Sequence, residues 1–464
     1  MSPLSLATML TRARLAARTG SGILDIFAIA AFSVSAWLTL TTLGGVAMFY
    51  SRQDAINQAV VREFNGTLDT EVIGSIYFSL SIVALALLIV PLTSLGGGAA
   101  RLGAGGRERR LASLRLIGMS ARQVIVMSIV ESMIQASLGF VLGLGLYYVT
   151  LPAWKNITFG TLPISSYDML LPWWVQCLTY LLVIVIAVVS TIVGLQRVSI
   201  SPLGVAQRII PAKVKMWRMG IVVTTLIILV YVTSTFTVSR AMLGSIISIA
   251  VAFVLFFGGI AIAGPLFIQL TMRPLVFTGS PARLVGIRRV VSDSRAAWRN
   301  ISAVALIGAV ATLVTTLTVV SIDAPDKAVE RSYVAMVSHD ITQGVYIAFA
   351  FALIIGAVST SIHQVSDVFD RAEESRALVY VGTPLATLIR ARFIQVMYPL
   401  IAVLIIVSVL SAIPALINPV MGNWDNLRVL LIMMGLGIGL TLGCVAVTIP
   451  IQRRIVAMRV RRND

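Results

Sequence analysis

Apolar positions along this chain fall in long unbroken runs separated by short polar stretches. They show neither the alternation of a half-buried strand nor the three-and-four spacing of a soluble amphipathic helix. Ten such runs stand at 22–49, 73–96, 123–149, 173–195, 219–236, 243–271, 300–321, 342–365, 391–415 and 429–450. Each is roughly 20 residues or more, enough for a helix to cross the ~30 Å hydrocarbon core of a bilayer. A helix satisfies its own backbone polar groups in lipid, which an isolated strand cannot do. The pattern predicts an all-α polytopic membrane protein with about ten transmembrane helices, the fifth run being the shortest.

Composition strengthens this reading. The chain is 58% hydrophobic and 12% charged, with a mean hydropathy of +0.95, whereas a soluble domain is about one-quarter charged. Its 464 residues would otherwise suggest roughly three soluble domains. The net charge of +17 changes the picture only through its placement. With both termini inside, the inner segments, counting Arg392 at the inner edge of the ninth run, hold 29 of the 36 Lys and Arg residues and the outer segments hold 7. That bias follows the positive-inside rule and predicts cytoplasmic termini. No Lys/Arg stripe with interleaved aromatics is present, so the sequence offers no nucleic-acid footprint. Residues 1–21, with Arg12, Arg14 and Arg18, are expected to form a basic amphipathic helix on the inner membrane surface rather than a cleavable signal. Residues 451–464 form a basic cytoplasmic tail. Trp154, Trp173, Trp174 and Trp424 fall near the outer interface, and Trp217 and Trp298 near the inner one, as an aromatic belt.

Candidate chemistry is sparse. Cys177 and Cys444 lie inside apolar runs and read as inert core residues, while His339 and His363 fall at predicted helix ends without a ligand partner. No metal site is expected. None of the four lysines follows a Gly-rich stretch, so no Walker A loop is present and no catalytic residue is assigned. The run GGGAARLGAGG at 96–106 reads as a flexible hinge at the inner interface. Glu131, about two turns into the third run, is the notable intramembrane polar residue. Such a group faces protein or water, here either as a relay or substrate contact or as a tie from this span to a neighbour near the inner interface, with Asp25 a candidate. Gly139 and Gly143, and Gly435, Gly439 and Gly443, form small-xxx-small faces suited to close helix packing.

Two inner loops resemble each other. RERRLASLRLIGMSARQV (107–124) precedes the third run, and RAEESRALVYVGTPLATL (371–388) precedes the ninth. Gly118 aligns with Gly382 and Leu114 with Leu378. Each glycine sits after a charged amphipathic helix, and Gly118 can end its helix in the left-handed conformation; such a helix beneath the membrane can dock into a groove on a soluble partner. Runs one to four and seven to ten thus read as two parallel four-helix repeats, at 22–195 and 300–450. The segment 196–299 supplies cytoplasmic loops and a two-helix hairpin.

Arg110, Leu111, Leu114, Arg115, Ile117, Gly118, Ser120, Gln123 and Glu131 resemble the pattern of FtsX-like permease domains of ABC transporters. Glu374, Ala377, Leu378, Gly382 and Thr383 carry a weaker second copy, with Gln395 at the place of Glu131. RRVVSDSRAAWRN (288–300) resembles the second-half entry of two-copy permeases, and the 4+2+4 arrangement is similar to bacitracin-efflux-type permeases. The resemblance implies a bacterial cytoplasmic-membrane permease paired with two copies of a soluble ABC ATPase, which would bind ATP and Mg. Its coupling residues would be Arg110, Leu111, Leu114, Arg115 and Gly118 in one loop and Glu374, Leu378 and Gly382 in the other. Amphiphilic drugs, peptides or membrane lipid are the expected cargo. The chain departs from peptide-antibiotic permeases in its short segment 322–341, where they carry a large outer domain. Two other readings compete: a mechanical scaffold acting on an extracellular partner, reached through residues 50–72, and an ion-coupled transporter.

Overall fold

A computed structural model describes residues 20–64, 73–105, 120–199, 215–235, 242–277, 279–316, 328–417 and 427–457. Thirteen α-helices account for nearly all of them. The long ones are α1 (Gly20–Ser51), α3 (Ile73–Gly105), α4 (Ala121–Thr150), α5 (Trp173–Ser199), α6 (Trp217–Ser234), α7 (Met242–Met272), α9 (Ser294–Thr316), α10 (Ala328–Asp370), α12 (Leu385–Ile417) and α13 (Leu427–Ala457). Three shorter helices join them: α2 (Gln53–Glu63), α8 (Pro281–Ser292) and α11 (Ala372–Tyr380). Strands β1 (Thr158–Phe159) and β2 (Leu162–Pro163) make one small antiparallel hairpin. Among the described residues, ten helices are long and apolar enough to cross a membrane, and they coincide with the ten apolar runs. The chain is an all-α polytopic membrane protein. Inner and outer denote below the helix ends assigned by the basic residues.

Within the first quartet, α1 packs on α3 and α4, and α5 packs on both of those. Within the last, α9 packs on α10 and α12, and α13 packs on both of those. The two quartets therefore repeat one pairing pattern. They meet where α10 lies against α1 and α3. The hairpin α6–α7 covers the side of this junction, with α7 against α3, α9 and α12. Its core includes Phe256, Phe257 and Ile260, packed with Ile301, Ala305 and Leu404.

Glycine sets the closest helix approach. A Cβ at Gly139 would strike the Phe32 side chain, and one at Gly143 would strike the Ser33 carbonyl, so α4 rides directly on the α1 backbone. The other predicted glycine face does not do this. A Cβ at Gly435, Gly439 or Gly443 would meet nothing, because these residues lie on the outward side of α13, where Leu431, Ile432 and Leu436 are also exposed. Gly437, two residues off that stripe, faces Val304 instead.

Several sequence expectations need correction. The glycine run at 96–105 is helix, not hinge: α3 continues to Gly105, with Gly96 against Ile186 and Gly98 against the His363 ring. Small residues there admit neighbours rather than loosening the chain. His339 and His363 both lie inside α10, which is 43 residues long and extends past the apolar run at each end. Cys177 is exposed on the apolar exterior rather than in the core. Trp298 is buried against Gly264, so it is a core residue rather than part of an interfacial belt. Trp173, Trp174 and Trp217 are exposed as a belt requires. Trp154 turns inward, edge-on to Phe351 at 6.0 Å. Residues 1–19, the loop 106–119 and Trp424 lie outside the described residues.

Candidate functional site

A partly open cavity of about 430 Å³ lies at the junction of the two quartets. That falls within the ~300–1,000 Å³ typical of ligand sites. Residues of α1, α3, α9 and α10 form most of the wall. Along α3 the lining runs from Tyr77 to Leu88, about 16 Å at 1.5 Å per residue. The wall is apolar and aromatic over most of its depth, with Leu80, Leu87, Phe253, Val310 and Phe349 among its residues.

A polar latch lies at the outer end. Asp340, on α10, is buried. Its Oδ2 accepts a 2.6 Å bond from the Tyr77 hydroxyl of α3 and a 2.7 Å bond from the Gly160 amide. The Gly160 amide is aimed by the β1–β2 hairpin. Its two-residue loop, Gly160–Thr161, holds both residues at positive φ, 57° and 69°, as the twist-matched hairpin turn requires. A side chain at Gly160 would also press into Ile56 at 2.8 Å. Phe159 stacks edge-on to Phe49 at 5.2 Å and to Tyr77 at 6.3 Å, and so seats the hairpin over the cavity. Helix α2 supports it from the side, turning Ile56 and Val60 inward. Asp340 thus bonds across the junction to both α3 and the outer hairpin. Sequence reasoning missed it because 328–341 is too polar to extend an apolar run. An acid one turn from such a run, with an aromatic and a glycine loop as donors, carries no local pattern.

At the inner end of the helix bundle, away from the cavity, lies a second polar system, centred on Arg392 of α12. Its guanidinium donates to the Gln364 carbonyl oxygen at 2.8 Å and to Gln452 Oε1 at 3.2 Å, joining α10, α12 and α13. Gln395, one turn on, donates to Asp367 Oδ2 at 3.4 Å. Asp367 also accepts from Arg371 Nε at 2.8 Å, at the start of α11. Burial opposes the charge on Arg371, but the carboxylates of Asp367, Glu374 and Asp293 together raise its pKa above the ordinary value. Glu374 receives Arg289 Nε of α8 at 3.0 Å. The short helix α11 is thereby tied to both α8 and the bundle.

Of the sequence-derived coupling residues, Arg110, Leu111, Leu114, Arg115 and Gly118 lie outside the described residues. Glu374 and Leu378 stand on α11, and Gly382 follows it. Gly382 has φ 95°. Its amide bonds to Val379 O at 2.9 Å, and the Thr383 amide bonds to Leu378 O at 3.0 Å. These paired bonds end a helix in the Schellman manner. Tyr380 and Val381 are exposed at that end. Glu131 is buried in α4, among Ser128, Ser132 and Gln135. Gln135 Nε2 donates to Asp25 Oδ1 at 2.8 Å, and Thr191 Oγ1 to Ser132 Oγ at 2.8 Å. A buried polar cluster thus joins α1, α4 and α5. Among the described residues no group of His, Cys, Asp and Glu is placed to hold a metal ion.

No protein-family model and no curated protein sequence matches the chain, so the reading of these sites rests on their residues and geometry.

Proposed function

We propose that the chain is the membrane subunit of an ABC transporter of the FtsX-like class. In this reading two copies of a separate soluble ATPase hydrolyse ATP, and the chain exports an amphiphilic molecule or extracts it from the membrane. The observation that carries the reading is the largely apolar cavity between the two quartets. A site whose walls belong to two packing units changes shape when those units shift against each other, which is what an externally driven transporter needs. Helix α11 supports the coupling half of the proposal. It projects Tyr380 and Val381 away from the bundle, while its base is bonded through Arg289, Arg371 and Asp367. A push on that helix reaches α8, α10 and α12 through charged contacts. Leu114 and Leu378 would supply equivalent apolar contacts to the two ATPase subunits, with Arg110, Arg115 and Glu374 beside them. The cell membrane of a bacterium is the setting this reading implies.

The test is co-expression with the ATPase encoded beside it, followed by purification of wild type and the Leu114→Asp/Leu378→Asp variant. Two ATPases should accompany each wild-type chain, and the double variant should lose the association. Equal association of both proteins would remove the two loops from the coupling role, and no association at all would remove the transporter reading.

A further inference from the structure

We propose that the cavity selects amine-bearing amphiphiles, with Asp340 receiving the protonated amine; this rests on reading the cavity as the cargo site. The argument is one of donor and acceptor balance. Among the described residues Asp340 is the one acid in the cavity lining, and no Lys, Arg or His belongs to it. The lining hydroxyls of Thr41, Thr42, Ser81 and Thr342 each donate to a carbonyl of their own helix, at 2.6–2.8 Å. Their protons are used, and what they present is lone pairs. The Tyr77 proton is used on Asp340 itself. The indole nitrogen of Trp154 is enclosed and out of reach of a water-sized group. Ser338 and Tyr346 also line the cavity and bring hydroxyls that can donate, so the cavity offers mainly acceptors and one carboxylate, with few donors.

An ammonium group carries positive charge and three donors and has no acceptor, so it complements such a lining. A carboxylate or phosphate head would meet like charge and few protons. Asp340 keeps capacity for this role. Both of its hydrogen bonds fall on Oδ2. His339 Nδ1 stands 3.7 Å from Oδ1, beyond hydrogen-bond distance. An ionised carboxylate has about four acceptor positions, so a third donor can be taken without breaking the latch. The apolar wall beneath then accepts the hydrocarbon part.

The test uses the full chain in nanodiscs of neutral lipid and three C12 photoreactive probes that differ only at the head: amine, alcohol and carboxylate. Labelled peptides are mapped by mass spectrometry. The amine should label peptides of α1, α3 and α10 with an apparent affinity at least about tenfold above the alcohol, and the carboxylate should label least. Asp340→Asn should erase the advantage of the amine while leaving alcohol labelling in place. Equal labelling of wild type by amine and alcohol overturns the proposal, as does an amine preference that survives Asp340→Asn. Labelling of cavity peptides by none of the probes would instead overturn the cargo-site reading on which it rests.

Discussion

Gly143→Ala tests how the first quartet is held together. A Cβ at Gly143 would lie 2.8 Å from Ala36 Cβ and 3.0 Å from the Trp37 nitrogen, and would strike the Ser33 carbonyl. Carbon atoms rest at about 3.5–4.0 Å, so α4 must back away from α1 by about 1 Å. Backbone cannot swing aside as a side chain can, and overpacking of this kind costs about 1–3 kcal/mol. The same displacement stretches two bonds across this helix pair, Trp37 Nε1 to Thr150 Oγ1 at 2.9 Å and Gln135 Nε2 to Asp25 Oδ1 at 2.8 Å. Each contributes about 1 kcal/mol. The expected loss is about 2–4 kcal/mol. Gly145, on the same helix, provides the control, since a Cβ there meets nothing within 4 Å. Gly145→Ala should stabilise by about 0.4–1 kcal/mol by reducing unfolded-chain freedom. Denaturant unfolding of both variants in mixed micelles, followed by circular dichroism, measures the gap. A Gly143→Ala midpoint equal to or above that of Gly145→Ala would refute backbone contact as the basis of this packing.

Two further outcomes are expected. Tyr77→Phe keeps the ring but removes the donor to Asp340, so unfolding stability should fall by about 1.5–3 kcal/mol, the range for a bond to a charged group; an unchanged midpoint would mean that the outer latch contributes nothing. Gly382→Ala has open space around it and is opposed only by its φ of 95°, a penalty of about 1–2 kcal/mol. Hydrogen exchange at the amides of 379–383 should quicken while the long helices are unaffected, and unchanged exchange there would argue against a left-handed stop for α11.

The residues that misled the sequence reading show where its information stops. Three consecutive glycines at 96–98 are compatible with a hinge or with a crowded helix, and the choice lies with Ile186 and His363, which are remote in sequence. The stripe at Gly435, Gly439 and Gly443 has the same spacing logic as Gly139 and Gly143, yet one faces outward and the other the α1 backbone. Arg392 stands at the start of the ninth apolar run with no local sign of its partners, yet it is buried where α10, α12 and α13 meet, with Gln364 and Gln452 as its acceptors. At Gly382 the reading and the structure agree, because a glycine that ends a helix acts through its own backbone.

The sequence alone determined the class of protein, the ten spans and the ends of several helices. Those properties follow from local demands: a bilayer requires about 20 apolar residues of self-satisfied backbone, and a helix stop requires one residue in the left-handed region. Only the tertiary structure decided that Tyr77, Gly160 and Asp340 meet, that the wall between the quartets is hollow, and that Arg289 reaches Glu374. Partners separated by 85 to 263 positions leave no periodic trace in a chain whose lipid-facing and buried surfaces are equally apolar, and the inward side of each helix is set by what packs against it.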